Sequence, residues 1–565
     1  MQSKSRRAVA RRRQRAIRRR RWILLALTTA SLVALTIFFI NQRPFAPQPA
    51  PTPSPTVSPV EEGAQGGEAV ADPTPDATPN PDEEITPSPE PTPTPEPTPS
   101  PTPEVAVIPD MPIPAAIDGT RPSDFLFETK LNVGGKEISA YTRAEKIEFG
   151  PDTEYTGVEG ITTFRGNNYR NTSSYGTAEV NRKKLSIAWT RNTSSLGKWT
   201  GSGWTGQPII MKWPEGTRRV MNLVPDKKDK DGLIEVIYPM MNGYAYFFDI
   251  EDGKQTRERL KIDAYQSRNN DQDHMGGASI DPRGYPLLYV GSGGDKTPGK
   301  DAASRFIIFS LIDYRRLHEF GKNDPFAPRK WTGWDCAPLI DAKTDTLIEC
   351  GENGLIYTMK LNTAYDEAAG TISIAPNDVV KLGYTTDRSR RGIKMSPTKY
   401  WLGMESSSVI WKNYLYIADN GGNLLCVDLN TMTVIWVHDT LDDTNCSPVF
   451  EQEADGRGYL YISTSYHEGW RARSGQTAPI PIWKVDASTG EVMWERTYEC
   501  YTTSNVSGGV QATALVGQGN IADLVFVPVA RTPKRASGIL VALDKKTGEE
   551  VWRFDMPSEK NGGYS

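Results

Sequence analysis

The stretch 539–554 reads Ile-Leu-Val-Ala-Leu-Asp-Lys-Lys-Thr-Gly-Glu-Glu-Val-Trp-Arg-Phe. An apolar strand ends at Asp544, Thr547-Gly548 turns the chain, and a second strand carries Trp552. Gly548 supplies the backbone freedom that the turn needs, and Asp544 and Thr547 are placed to hydrogen-bond its free amides. The pattern returns at 482–496, with Asp486, Thr489-Gly490 and Trp494, and in degenerate form at 424–437, with Asp428, Thr431 and Trp436. In all three copies the Asp and the Trp stand eight residues apart. A fourth copy, 246–257, keeps Asp249 and Gly253 but has Arg257 where the Trp belongs. One hairpin repeated through a long chain predicts a repeat architecture.

Working outward from these hairpins, units of four strands emerge, named A to D from the axis outward. Candidate A strands are 207–211, 278–281, 337–340, 407–410, 447–450 and 510–516. B strands are 234–239, 286–291, 346–350, 414–418, 459–463 and 524–529, and C strands are 244–250, 306–311, 355–361, 424–429, 482–486 and 539–544. Six A-B-C sets thus stand beside seven D-like strands, the seventh being 185–190 with Trp189. The A strands open alike: Gly203-Trp-Thr-Gly-Gln-Pro208 aligns with Gly333-Trp-Asp-Cys-Ala-Pro338, and Asp443-Thr-Asn-Cys-Ser-Pro448 is a shorter relative. Most strand runs are apolar on both faces, as sheets buried between two neighbours require. The expected fold is an all-β β-propeller of four-stranded antiparallel blades, seven in number with six or eight as the alternatives, and with 185–190 joining the two ends of the head.

The string Ala542-x-Asp544-x-x-Thr547-Gly548-x-x-x-Trp552 resembles the docking motif of the pyrroloquinoline-quinone-repeat β-propellers. In that family the Trp packs onto the adjacent blade. Residues 484–494 match with Lys484 for the Ala, and 426–436 match with Cys426 for Ala and Met432 for Gly. The similarity covers about 185 to 554 and is specific for fold rather than function. It implies a structural role for Asp428, Trp436, Asp486, Gly490, Trp494, Asp544, Gly548 and Trp552.

The average charge of -4 hides three regions. Residues 1–21 are rich in Arg and Lys with no acid, and 22–41 is an apolar span. At 1.5 Å per residue its apolar core reaches roughly 28 Å, enough to cross a bilayer as a signal anchor. A cleaved signal peptide is the rival reading, but its apolar core is usually shorter, about 7–15 residues. The basic flank then stays cytoplasmic and everything beyond lies outside, on the cell surface. The flank reads as an orientation signal, so no nucleic-acid partner is expected. Residues 42–117 are dominated by Pro, Thr, Ser and acids and cannot bury a core, which predicts a disordered extended linker. Residues 118–184 form a lead-in to the head, containing a hairpin within 125–141 that turns at Gly134-Gly135. The propeller itself is placed at 185–565.

Signs of chemistry are sparse. The resemblance raises a quinone-dependent dehydrogenase, yet the adjacent Cys-Cys pair typical of those enzymes is missing, and no calcium-ligand set can be matched. No catalytic residue, metal or cofactor is therefore assigned. Asp271-Gln-Asp273-His274 reads as a solvated loop before a cation site. Cys336 and Cys350 lie on strands 335–340 and 346–350; pairing Ile340 with Thr346 sets them opposite each other, as a cross-strand disulfide or as two packed thiols.

In a propeller the D-to-A and B-to-C connections share one face, and here the long connections all belong to it, against short C-to-D turns. Loops on a rigid frame carry binding. That face is expected to hold Trp199, Trp204, Trp331, Trp334, His274, His467, Trp470, Arg471 and the cluster Arg388, Arg390 and Arg391. Rings can stack on sugars or apolar peptide groups, and Arg can pair with carboxylates. The alternative is that Trp204 and Trp334 plug the channel or pack between blades. The expectation is a membrane-tethered extracytoplasmic binding module whose partner is a protein, a peptide or a cell-wall glycan. A quinone-dependent dehydrogenase and a purely structural wall-spanning protein are the alternatives.

Overall fold

The computed structural model describes residues 108–178, 181, 184–193, 206–262 except Met241, 277–292, 304–329, 333–395, 402–467, 476–502 and 507–556. The expected anchor at 22–41 and most of the linker lie outside them. No helix among the described residues is long and apolar enough to cross a membrane.

Among the described residues six blades, each built on four antiparallel strands, follow one another along the chain. In order A-B-C-D, blade I is Ile209–Lys212, Ile234–Met240, Tyr244–Asp249 and Leu260–Lys261. Blade II is Ala278–Ile280, Leu287–Gly291, Phe306–Ser310 and Arg316–Phe320; blade III is Leu339–Asp341, Thr346–Cys350, Leu355–Lys360 and Asn377–Thr385. Blade IV is Val409–Trp411, Tyr414–Ala418, Asn423–Asp428 and Thr433–Asp439, and blade V is Val449–Gln452, Gly458–Ser463, Thr477–Asp486 and Val492–Tyr501. Blade VI is Leu515–Val516, Leu524–Ala530, Gly538–Asp544 and Glu550–Met556. Every expected A-B-C set is present. Consecutive blades pack face to face: one apolar cluster joins I to II, a second II to III, a third III to IV, and a fourth runs through IV, V and VI. This radial order of sheets is that of a β-propeller.

The repeated hairpin works as a dock. The Trp436 indole donates to the carbonyl of Ala487, just past Asp486, at 3.0 Å, and Trp494 donates to Lys545, just past Asp544, at 2.9 Å. Each ring covers the glycine of the turn it docks on. A Cβ at Gly490, where φ is +77°, would stand 2.8 Å from the Trp436 ring. Trp189 docks on blade I in the same way, at the carbonyl of Ile250 (2.8 Å) and over Gly253. Arg257 replaces a Trp: its guanidinium donates to Leu311, the matching carbonyl of blade II, at 3.1 Å. Its charge is met by Glu235, and both side chains are fully buried. For blade IV the donor to Leu429 is Arg143, from the lead-in. In blade III the matching carbonyl, Leu361, is taken by the amide of Ala375.

Four expectations need correction. Residues 185–190 form no strand, since among the described residues no C strand pairs with them; Trp189 docks nonetheless. The C-to-D connection of blade III is not short, since it contains the hairpin Ala364–Asp366/Thr371–Ser373. Blade III has Asp341, not Ile340, opposite Thr346, so the register is one residue from that expected and Cys336 does not lie squarely across from Cys350. Both are buried free thiols, and the Cys336 thiol faces the Ala337 carbonyl at 3.6 Å. Finally, the packed chain begins before 118: Met111 is buried in the core of blades IV to VI, and the Ala115 amide donates to Ser488.

The lead-in covers one face. Its hairpin, Glu128–Val133/Lys136–Ile138, extends blade III beyond its D strand. The rest crosses the A-B and C-D turns of several blades, through Pro109 and Gln452, Thr120 and Thr489, Arg143 and Asn430, Phe149 and Lys412, and Gly157 and Pro282. It then dives into the axis. Gly160–Ile161 pairs with blade I, Thr162 accepts from Ile280 of blade II, Asn168 from Ile410 of blade IV, and Tyr169 from Phe450 of blade V. Fully buried Arg170 donates to the carbonyls of Ala337, Ser408 and Phe164 and to Thr163. Arg165 reaches Ala514 of blade VI at 2.7 Å. This axial segment ties the inner strands together.

Candidate functional site: an acidic pocket on the loop face

Above the axial segment, on the face opposite the lead-in, lies a cavity of about 230 Å³. Its walls are the openings of the A strands: Gly206 of blade I, Asp335 of III, Glu405 and Ser407 of IV, Asn445 and Ser447 of V, and Gln511 to Thr513 of VI. Phe164 and Arg165 form its floor. Oxygens of Asp335, Glu352 and Glu405 all lie within 4.8 Å of one another. Asp443 stands by, held by the Asn420 amide at 2.6 Å, and the Asn445 amide donates to Glu405. Arg329 faces Glu352 at 3.7 Å. Asp335, Glu352 and Asp443 are all under 5% exposed.

Crowding carboxylates in a dry site disfavours their charged forms. Burial, opposed by the Asn420 hydrogen bond and aided by Asp442, raises Asp443 to about 7. Burial first, then the charges of Glu352, Asp443 and Asp335, hold Glu405 well above the usual carboxylate range. On the floor, burial and the neighbouring Arg170 lower Arg165 to about 10. Beside the pocket, burial and then Cys336 push Glu349 upward; its two oxygens have no hydrogen-bond partner, as suits a neutral acid.

Hard oxygen donors at this spacing suit calcium or magnesium, with Asp335, Glu352 and Glu405 as the ligands. The quinone of the resembling enzymes fits poorly. It is a flat polycarboxylate, and the described lining offers it carboxylates, hydroxyls and amides with the Arg165 guanidinium at the floor.

Of the expected face, Trp199, Trp204, Trp331, His274, Trp470 and Arg471 lie outside the described residues. Trp334 is not available to a partner: it is 2% exposed, wedged among Phe306, Phe320 and Tyr357 between blades II and III. That is the packing alternative. His467 does reach the site, with Nδ1 2.9 Å from Ser507 Oγ and 3.8 Å from Asp443. Arg388, Arg390 and Arg391 do not converge. Arg388 clamps Asp439 with two bonds of 2.8 and 2.6 Å, Arg390 meets Glu128, and Arg391 meets Asp387. Sequence reasoning missed the acids, although Asp335, Asp443 and Asn445 stand inside the recurring A-strand openings that it aligned.

No protein-family model matches the chain, and no curated protein does. Among solved structures, BamB from Moraxella catarrhalis is similar at 12% identity, covering 58% of this chain and 71% of that one, with a TM-score of 0.33. A europium-containing methanol dehydrogenase is similar at 11% identity, over 71% of this chain and 86% of its own, with a TM-score of 0.41. The quinohemoprotein alcohol dehydrogenase of Comamonas testosteroni is similar at 11%, over 70% and 73%, with a TM-score of 0.38. The order and packing of its own sheets define this chain as a repeat β-propeller with an acidic axial pocket.

Proposed function

We propose that this chain is a non-catalytic binding propeller, anchored in the membrane through 22–41 and held outside the cell, whose loop face takes a protein or peptide partner. The pocket receives a cationic side chain of that partner, a lysine or an arginine. One observation carries the reading: the lead-in occupies the turn face, while the loop face opens onto a pocket at which buried carboxylates cluster. An ammonium placed there would be desolvated among acids, which favours its charged form and theirs together. A ring of seven blades goes with this reading, since a Trp189 docked on blade I stands where the D strand of a preceding blade belongs.

The test is capture of lysine-bearing peptides by the full chain and by its Asp335→Asn/Glu405→Gln variant. The parent should bind them better than norleucine-bearing controls, and more tightly as pH rises from 6 to 8. Equal binding of both peptide sets, or no loss in the variant, refutes the reading. The 4.8 Å carboxylate spacing favours a second reading, in which the pocket holds a divalent cation. Calcium raising the melting temperature of the parent, but not of the variant, would establish that one by mass action.

A further inference from the structure

Among the described residues six turn carbonyls exist to be docked on, and all six are taken: Ile250 by Trp189, Leu311 by Arg257, Leu361 by Ala375, Leu429 by Arg143, Ala487 by Trp436 and Lys545 by Trp494. The repeat contains one donor more. Trp552, on the D strand of blade VI, is 42% exposed and meets no turn among the described residues. Around it, blade VI presents an apolar face of Leu515, Phe526, Pro528, Leu540, Trp552 and Phe554, aligned by strand register. Phe554 is 57% exposed. Across from it, Val236 and Tyr238 line the half-buried face of blade I, and the Trp189 segment shows Leu185 and Ile187, 85% and 84% exposed. Strands inside the array are buried on both faces, whereas the B strands of I and VI alternate buried and half-buried. Among the described residues no apolar cluster joins VI to I.

We infer that the seam between blades VI and I is a docking site for a polypeptide wedge of three antiparallel strands, ending in an Asp-Xaa-Xaa-Thr-Gly turn. The observations specify this occupant. Trp552 needs the carbonyl after the Asp and the bare glycine of such a turn, because its three congeners, Trp189, Trp436 and Trp494, use both. Residues 185–190 already stand in the D position, so the wedge brings A, B and C, and its C strand supplies the ladder that 185–190 lacks. Both of its faces are apolar, to cover blade VI on one side and the tyrosine face of blade I on the other.

The probe is this chain's own residues 447–491, strands A to C of blade V with the Asp486–Gly490 turn, fused after Ser565 by a flexible linker in the full-length protein. Hydroxyl-radical footprinting read by mass spectrometry reports on Trp552, Leu185 and Ile187. The unfused chain should be monomeric with Trp552 readily oxidised. The fusion should lower oxidation at all three residues several-fold and raise the melting temperature. Both changes should vanish with Trp552→Ala, or with Val in place of the probe's turn glycine. Undiminished oxidation in the fusion overturns the proposal. So does a dimer of the unfused chain that Trp552→Glu dissociates, because the occupant would then be a second copy.

Discussion

Replacing Arg257 by Met tests whether a guanidinium stands in for the docking tryptophan. Arg257 and Glu235 are both 0% exposed in their side chains, and Arg257 also lies over the Phe247 ring at 4.7 Å and reaches Leu311. Removing one partner of such a pair leaves a buried charge alone, at a cost of about 3–5 kcal/mol. The Trp213 indole, 2.8 Å from Glu235, and the Thr256 hydroxyl would still donate to the stranded carboxylate, which places R257M nearer the lower figure. Glu235→Gln keeps an acceptor for both donors and removes the charge. The double variant E235Q/R257M should therefore recover about 2 kcal/mol of the loss, the remainder being the orphaned Leu311 carbonyl and the lost packing. Urea unfolding followed by fluorescence, run as a complete double-mutant cycle, measures this. An R257M chain within about 1 kcal/mol of the parent, or a double variant no better than the single, would refute the reasoning.

Other outcomes follow from the same contacts. Trp436→Ala should cost about 3–5 kcal/mol, whereas Trp552→Ala, at a half-exposed site, should stay within about 1 kcal/mol by the same unfolding assay. Gly490→Val should destabilise the chain by about 1–3 kcal/mol, because φ is +77° and the Trp436 ring fills the space of a side chain. Folding raises Asp443 from 3.8 to about 7, so the folded chain holds a proton that the unfolded chain has lost. Stability should therefore fall as pH rises between about 4 and 7, by at most about 4 kcal/mol from this group, and Asp443→Asn should flatten the slope. A thermal-melting series across that range decides it.

The blades were legible because most B and C strands are largely apolar runs closed by a polar turn, and because Asp486, Gly490 and Trp494 recur with Asp544, Gly548 and Trp552 at fixed spacing. Local pattern and tertiary role coincide there. The Arg257 and Arg143 docks were not legible, since what docking needs is an N–H at one point in space, and any residue that delivers it serves. The axial segment escaped for a related reason. Arg170 and Asn168 bond mainly to backbone carbonyls and amides, which carry no side-chain signature. The pocket acids come from loops of two adjacent blades, and only the packing of one blade on the next brings Asp335 and Glu352 to Glu405. Trp334 shows the converse error: a tryptophan in a loop suggests a surface, but glycines 291, 321 and 351 clear a hole for it in the interior.

The axial segment alters how such an array should come apart. A row of repeats held only by neighbour contacts unravels from its ends, unit by unit. Here the two terminal blades grip a common spindle, through Gly160 at one end of the row and Arg165 at the other. Fraying either end must first loosen a cord that every other unit also grasps. The melt should accordingly be a single sharp event despite the open flank, and a protease cut within 160–172 should turn it into a staircase.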